Sequence, residues 1–420
     1  MCGSVVGRRE DERQIDGGSR VSSVGRDGSV LTELLAETPV ARQDTRQWMW
    51  CDGNIHNRRW LRALRRRGVQ VRPFGWTSMR IDDEPEFLAV SDRVWLDRVP
   101  KVRRFQLARR LRRIADGSDA DLILVQFPSS DLVGLAGSRV PLAVHLWGSD
   151  VDQIYHRATS GARAAFRRII RSARIVTAYS QRLLAAVREF SNPDAITGVV
   201  ELTPESAFHP AGDRRDARKY LGLPHDAMVI LSARGIGAVY RTVEIIQAAC
   251  EFLRRYPAAL LVQPLYGPPE PEYREKCHWL AQSLGIGRQV AFIPPLDYVQ
   301  MPSAYQAADV VVNFARSDGG PATLREAMAC GACIVSSGLE TYRGLLKHEE
   351  NALVVGGDEK EVERLSRAIL LAGESESLRR QLAEGALHTA AGFVNFDSQF
   401  DWVVQQYRAI VASSRGASGA

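Results

Sequence analysis

Residues Ser317–Val335 read SDGGPATLREAMACGACIV, and two chemistries compete within them. Cys330 and Cys333 form a C-x-x-C pair, a spacing used for redox work and for metal ligation. Upstream stand two glycines, a proline and two acids, Asp318 and Glu326, eight positions apart. The run DVVVNFA (309–315) just before is apolar and β-branched, as is ACIVSS (332–337) at the end. Both suit buried strands, and PATLREAMACG between them suits a helix. The unit is strand, loop, helix, strand. Gly319–Gly320–Pro321 make the turn into the helix, where proline's missing N–H costs nothing in the first turn. Glycines let a ligand come close to the backbone. The N–H groups of Ala322, Thr323 and Leu324 are expected to point out of the helix start, whose partial positive charge suits a phosphate. Asp318 lies in the loop. Glu326 lies just over one turn in and leans back toward the helix start, so both acids flank it.

The same alternation runs along the chain. From WMWC (48–51) onward come a helix HNRRWLRALRRRG, then strands VQVRPFG, DLILVQF (121–127) and PLAVHLW (141–147). GARAAFRRIIRSA, RIVTAYS and QRLLAAVREF follow as helix, strand and helix. A second block repeats the pattern from AMVILSA (227–233) to NALVV, and helices close the chain. Strands this continuously apolar belong in parallel sheets covered on both faces. The expected fold class is α/β, with two Rossmann-like, doubly wound domains facing each other across a ligand cleft. The first spans 45–203 and the second 204–395, with ELTPESAFHPAGDRRDARKYLGLP as the linker region. Residues 1–44, rich in Gly, Ser, Arg and Asp, are expected to be a disordered tail with one short helix near Leu31–Glu37.

Composition narrows the class. The chain has 420 residues, 45% hydrophobic and 25% charged, with a net charge of +6, which suits a soluble protein with acidic partners. Its six cysteines are scattered and form no disulfide framework, as expected of a reducing cytosol. No apolar run approaches the roughly 20 residues of a membrane span, and no signal stretch is expected at the N-terminus. No second Cys/His pair lies near Cys330 and Cys333 to complete a zinc site, so the pair is expected to be structural.

With these residues in view, Ser317–Val335 resembles the E-x7-E motif of retaining GT-B glycosyltransferases of family 4, most closely in EAMACG. It departs from the family pattern in having Asp318 for the first Glu and Cys333 for a proline. The resemblance implies that the first acid contacts the donor sugar and that Glu326 holds the ribose hydroxyls. LSARGIGAVYRTVEIIQA (231–248) is similar to the family's diphosphate segment. Arg234 matches the family arginine, and Arg241 is the nearest cation to the family's lysine slot. Two cations there would neutralise the leaving diphosphate. VHLWGSDVDQIY (144–155) resembles a first-domain segment in which a His before the Gly bonds the donor sugar. Here Trp147 takes that place, and His145 either replaces the His from two residues earlier or packs in the core. Asp150 reads as a cap. WCDGNIHNRRWLRALRRRGVQV (50–71) resembles the first β–loop–α unit, with Gly53 facing the donor phosphates. His56 and its neighbours read as a packing signature.

The resemblance covers about residues 47–410 and implies transfer of a hexose-type sugar from a nucleotide-diphosphate donor to an acceptor hydroxyl, with retention. Glycan, glycolipid or polysaccharide biosynthesis is the implied setting, and the acceptor is a glycan, a lipid or a small molecule. The implied catalytic residues are Asp318 and His145. The implied donor-binding residues are Arg234, Arg241, Gly319, Gly320, Glu326 and Gly53. Neither a metal nor a cofactor is expected. A last helix, about 396–413, would cross back to the first domain. Six arginines from Arg58 to Arg67, with KVRRFQLARRLRR (101–113), make the first domain basic. That surface is either a solvated face or a peripheral contact with the inner face of a membrane. No nucleic-acid module is present. Two other classes stay open: a sugar-nucleotide epimerase on the same fold, and a degenerate sugar-nucleotide-binding protein.

Overall fold

The computed structural model describes residues 45–51, 55–76, 86–90, 101–265, 271–357 and 359–418. The expected tail, its short helix and Gly53 lie outside the described residues.

The first lobe contains β1 (Arg46–Trp50), α1 (Ile55–Arg66), β2 (Gln70–Gly75), β3 (Leu88–Ala89), α2 (Lys101–Asp116) and β4 (Leu122–Gln126). It continues with β5 (Leu142–Leu146), α3 (Ser160–Ser172), β6 (Ala173–Ala178), α4 (Gln181–Val187) and β7 (Ile196–Val199). The second lobe opens with α5 (Arg214–Tyr220), β8 (Val229–Ser232), α6 (Thr242–Arg255), β9 (Leu260–Pro264), α7 (Pro271–Ser283) and β10 (Val290–Ile293). It goes on through α8 (Met301–Ala307), β11 (Val310–Asn313), α9 (Ala322–Ala329), β12 (Ile334–Ser337), β13 (Leu353–Val355), α10 (Glu361–Glu374) and α11 (Glu376–Ala391). The chain ends in α12 (Phe396–Ser418).

The first sheet has the order β3-β2-β1-β4-β5-β6-β7 and the second β10-β9-β8-β11-β12-β13. Every pairing between these strands is parallel. In each sheet the order reverses between two central strands, β1 and β4 in one, β8 and β11 in the other. Loops leaving the carboxyl ends of such strands diverge and open a crevice, which is where ligands of open α/β sheets bind.

Alternation along each strand builds a core on both faces. Ile123 and Val125 enter one cluster with Trp48, Trp50 and Phe166, while Leu122 and Leu124 enter another with Trp60 and Leu64. In the second sheet Val310 and Val312 pack on one side and Val311 on the other. The helix α12 adds Phe400, Val403, Val404 and Tyr407 to the first-lobe cluster beneath α1. Arg67 fastens the two helices, bonding Asp397 at 2.9 Å and Asp401 at 2.7 Å.

The linker region is more ordered than its Pro, Gly and charge content suggests. Asp213 caps α5 by accepting from the Arg215 N–H at 2.8 Å. Arg214 and Arg218 both reach Asp309, at 2.6 Å each, which ties this helix to the start of β11. The long-range partner is invisible to a local reading.

The arginines of α1 do not form one solvated face. Arg59 is buried and Arg67 is spent on α12, while Arg65 and Arg66 are exposed. More exposed basic surface lies on α2, at Arg109, Arg110, Arg112 and Arg113.

Candidate active site

Arg234 leaves the carboxyl end of β8 and Asp318 that of β11, the two strands flanking the reversal of the second sheet. Their side chains meet. Arg234 Nη1 donates to Asp318 Oδ2 at 3.0 Å and lies 3.5 Å from Thr323 Oγ1. The Tyr342 hydroxyl donates to the same Oδ2 at 3.0 Å and accepts from Asn313 Nδ2 at 3.0 Å. The other oxygen, Oδ1, accepts the Gly320 N–H at 3.2 Å. Asp318 is therefore held from three sides, and its charge sits directly on the arginine expected to meet the diphosphate. Charge-assisted bonds of this kind are roughly twice as strong as neutral ones.

Glu326 stands one turn inside α9 and is buried. The Tyr305 hydroxyl donates to its Oε2 at 3.0 Å. Burial pushes its carboxyl up to about 7, against the pull of Arg59, the Tyr305 bond and Arg234. The start of α9 differs from the sequence expectation. Pro321 is the capping residue rather than the first helical one. The Ala322 N–H is not free, because it closes a turn onto the Gly320 carbonyl at 2.9 Å.

The first lobe supplies the opposite wall. Gly319 lies against the Trp147–Gly148 backbone, where a Cβ placed on Gly148 would be 2.5 Å from Gly319 Cα. Gly148 has φ +119, so only glycine meets both demands there. Gly320 faces Tyr179, whose Cβ would be 3.4 Å from an added methyl. Asp150 does more than cap the segment after it. Its carboxylate accepts from Gly148 N at 2.7 Å, Val151 N at 3.0 Å and Trp147 N at 3.1 Å, folding the loop back on itself. Burial pushes this carboxyl up to about 6, with those backbone bonds opposing. Trp147 is held by Gln126 at 2.8 Å and touches His56, Phe127 and Tyr179 edge-on or tilted. Phe127 has φ +58, a strained value for a bulky residue and a frequent mark of a functional wall.

His145 has no solvent-facing surface. Its ring lies between Trp60 at 4.6 Å and Tyr179 at 4.5 Å. His145 Nδ1 and Thr177 Oγ1 are hydrogen-bonded at 2.8 Å, and Thr177 Oγ1 lies 3.4 Å from the Val144 carbonyl. Burial lowers its pKa to about 3. Of the two sequence alternatives, the core placement is the observed one, because the ring points into the lobe beneath Tyr179.

Arg241 is also engaged elsewhere. It caps α6 with φ +59, lies over Phe314 and makes a two-armed ion pair with Glu361, with Glu244 at 3.4 Å. Arg241 thus stands in an ion-pair network with Glu361 and Glu244, as Arg234 stands with Asp318. Cys330 and Cys333 are buried thiols outside any disulfide, and they enter different core clusters on opposite sides of the sheet. Burial pushes the Cys333 thiol up to about 12 and the Cys330 thiol higher still, so neither is a ready thiolate. Among the described residues, no group of three or more His, Cys, Asp or Glu is arranged to hold a metal ion.

Sequence reasoning missed Tyr342, Tyr305 and Tyr179. All three are buried side chains in runs that read as core or helix face. Only the fold brings them against Asp318, Glu326 and Gly320.

Two parallel α/β lobes closing on one cleft, with an arginine and two acids along the second-lobe wall, define a GT-B glycosyltransferase. The description "Glycosyl transferase 4-like domain" matches residues 53–201, and "Glycosyl transferases group 1" matches residues 213–389. The chain belongs to this family, the group 1 glycosyltransferases of family 4. A D-inositol 3-phosphate glycosyltransferase of Catenulispora acidiphila is 32% identical over 217 residues, half of each chain. One from Acidothermus cellulolyticus is 27% identical over 311 residues, 68% of this chain and 67% of that one. The match thus spans half to two thirds of these relatives' length. Sucrose-phosphate synthase of Thermosynechococcus elongatus shares the fold at TM-score 0.69 and 17% identity, over 88% of this chain and all of that one. Anabaena HepE, solved with UDP and glucose, shares it at TM-score 0.68 and 16% identity, over 87% of this chain and all of that one.

Proposed function

We propose that the chain transfers a hexose-type sugar from a nucleoside-diphosphate donor to an acceptor hydroxyl with retention of configuration. The observation that carries this is the meeting of Arg234 and Asp318 at the carboxyl ends of β8 and β11, opposite the Trp147–Gly148 wall, with Glu326 one turn into the helix that follows. Arg234 meets the negative charge that develops on the leaving diphosphate. Asp318, once the donor draws Arg234 to its phosphates, orients the sugar and stabilises the positive charge at its anomeric carbon. The Glu326 carboxylate accepts from ribose hydroxyls. The chemistry is assigned to these side chains, with no metal or cofactor given a role.

The relatives named D-inositol 3-phosphate glycosyltransferases supply the first acceptor to try. The test is incubation with UDP-, GDP- and ADP-sugars, with and without D-inositol 3-phosphate and simple glycan acceptors. Acceptor-dependent release of nucleoside diphosphate and a product anomer matching the donor's are expected. An altered donor sugar without acceptor indicates an epimerase. Donor binding without turnover across the panel indicates a binding protein.

A cytoplasmic setting, with the exposed arginines of α2 against an anionic membrane face, fits the buried thiols and the surface charge. No helix among the described residues is long and apolar enough to cross a membrane.

A further inference from the structure

Arg59 lies on α1, three residues after His56, so the two side chains share one face of the helix. It is 1% exposed. Two aromatic rings cover its guanidinium, Tyr298 of the second lobe at 4.6 Å and Phe396 of α12 at 4.5 Å. Its Nε donates to Glu205 Oε1 at 3.1 Å and its Nη2 to the Thr203 carbonyl at 2.7 Å. These two nitrogens share one edge of the planar fork and face the segment between the lobes. Nη1, on the other edge, is buried and makes no hydrogen bond. An unpaired buried donor is costly, and more so when it is charged. Every other polar edge of this side chain is satisfied, so the exception points to an acceptor brought from outside.

The surroundings indicate what kind. Arg59 and Arg234, one cation from each lobe, are the two arginines whose charge acts on His56 and on Glu326. His56 packs edge-on against Trp147, the residue that meets Gly319 across the cleft. Burial and these two arginines lower its pKa to about 3, so the ring adds no third positive charge. Arg241, the sequence candidate for a second phosphate cation, is held by Glu361.

We infer that Arg59 is the second cation of the donor site: with the lobes closed, its Nη1 hydrogens bind a phosphate oxygen of the nucleoside diphosphate that Arg234 meets from the other lobe. This rests on the donor-site role of Arg234 and Glu326. The stacking of Arg59 on Tyr298 makes the contact available only when the lobes are together, so phosphate binding and closure reinforce one another.

The test measures binding of UDP, with GDP and ADP as further probes, and of uridine to the full chain, by calorimetry and ligand-observed NMR. Arg59→Lys keeps the charge near Glu205 but lacks Nη1. It is expected to weaken UDP at least about tenfold and uridine less than about threefold, as loss of a charge-assisted bond to phosphate requires. Glu205→Gln loosens the linker edge of Arg59 and leaves Nη1, so UDP affinity is expected to stay within about threefold of wild type. Unchanged UDP affinity in Arg59→Lys overturns the inference, as does an equal loss for UDP and uridine or an equal loss in Glu205→Gln. Where a variant does not fold, wild-type chain carrying 15N-labelled arginine decides. UDP must then shift the side-chain signals of both Arg59 and Arg234, and a shift confined to Arg234 overturns the inference. A wild-type chain that binds none of the three nucleotides overturns the donor-site reading itself.

Discussion

Gly148 and Gly319 meet backbone to backbone across the cleft, so closely that neither has room for a Cβ. One sits in the first-lobe loop folded by Asp150 and the other in the loop that carries Asp318. The residue that sets the distance between the lobes is thus next in sequence to the acid at the proposed reaction centre.

Gly319→Ala should therefore act on closure rather than on folding. Its methyl would collide with the Trp147 carbonyl oxygen. Holding the lobes about an ångström further apart is expected to lower kcat by about a hundredfold. The melting temperature should stay within a few degrees, since each lobe has its own core. Full turnover in a folded Gly319→Ala chain would show that the closed contact is not the working one.

Asp318 is accommodated at its present length. It reaches Arg234, Tyr342 and the Gly320 N–H together, with only 6% of its side chain exposed. Asp318→Glu, which restores the family acid, adds a methylene to a filled space and is expected to cut turnover about tenfold. Asp318→Asn keeps the shape and removes the charge. It should lower kcat by about 10²–10³ with little change in donor KM. Faster turnover by Asp318→Glu would mean that the Asp is a defect rather than a fitted variant.

The pH dependence follows from Glu326, whose carboxyl is raised from 4.5 to about 7 mainly by burial. Accepting from ribose hydroxyls requires the carboxylate, so donor affinity should tighten as pH rises from about 6 to about 8. Stability runs the other way. The unfolded chain releases this proton first, so the Glu326 contribution to stability is full below pH 4.5, falls toward about 7 and is level above. Glu326→Gln should flatten both profiles. Titration calorimetry and chemical denaturation at several pH values check this, and a donor affinity independent of pH in wild type would falsify it.

His145 belongs to the core, and its replacement should show as lost stability. His145→Phe keeps the ring between Trp60 and Tyr179 but removes the 2.8 Å bond to Thr177. Unfolding free energy is expected to drop by about 1–2 kcal/mol, with turnover per folded molecule retained. A large drop in kcat at unchanged stability would return the residue to the chemistry.

Much of the architecture was legible because parallel strands covered on both faces must be apolar at every position. The runs at 121–127, 141–147, 227–233 and 309–315 all became central strands. The helix between β11 and β12 was equally plain from its spacing and its glycines. The linker region was read too loosely, since α5 depends on Asp309, more than 90 residues away in the chain. The six arginines near α1 looked alike in sequence, and only packing sorted them into a buried cation, a strut to α12 and exposed charges.

By itself the sequence determined the two α/β blocks, the strand-loop-helix unit that presents Asp318 and Glu326, and the structural character of the two cysteines. These rest on periodicity, turn chemistry and short-range spacing, which act within a few residues. The tertiary structure alone decided which charged groups face one another. It paired Arg234 with Asp318 and Arg241 with Glu361, put His145 under Tyr179, and left one edge of Arg59 unpaired. Such choices depend on contacts between distant segments and on the loss of water around them, because a charge's partner and its cost are set by where the fold buries it.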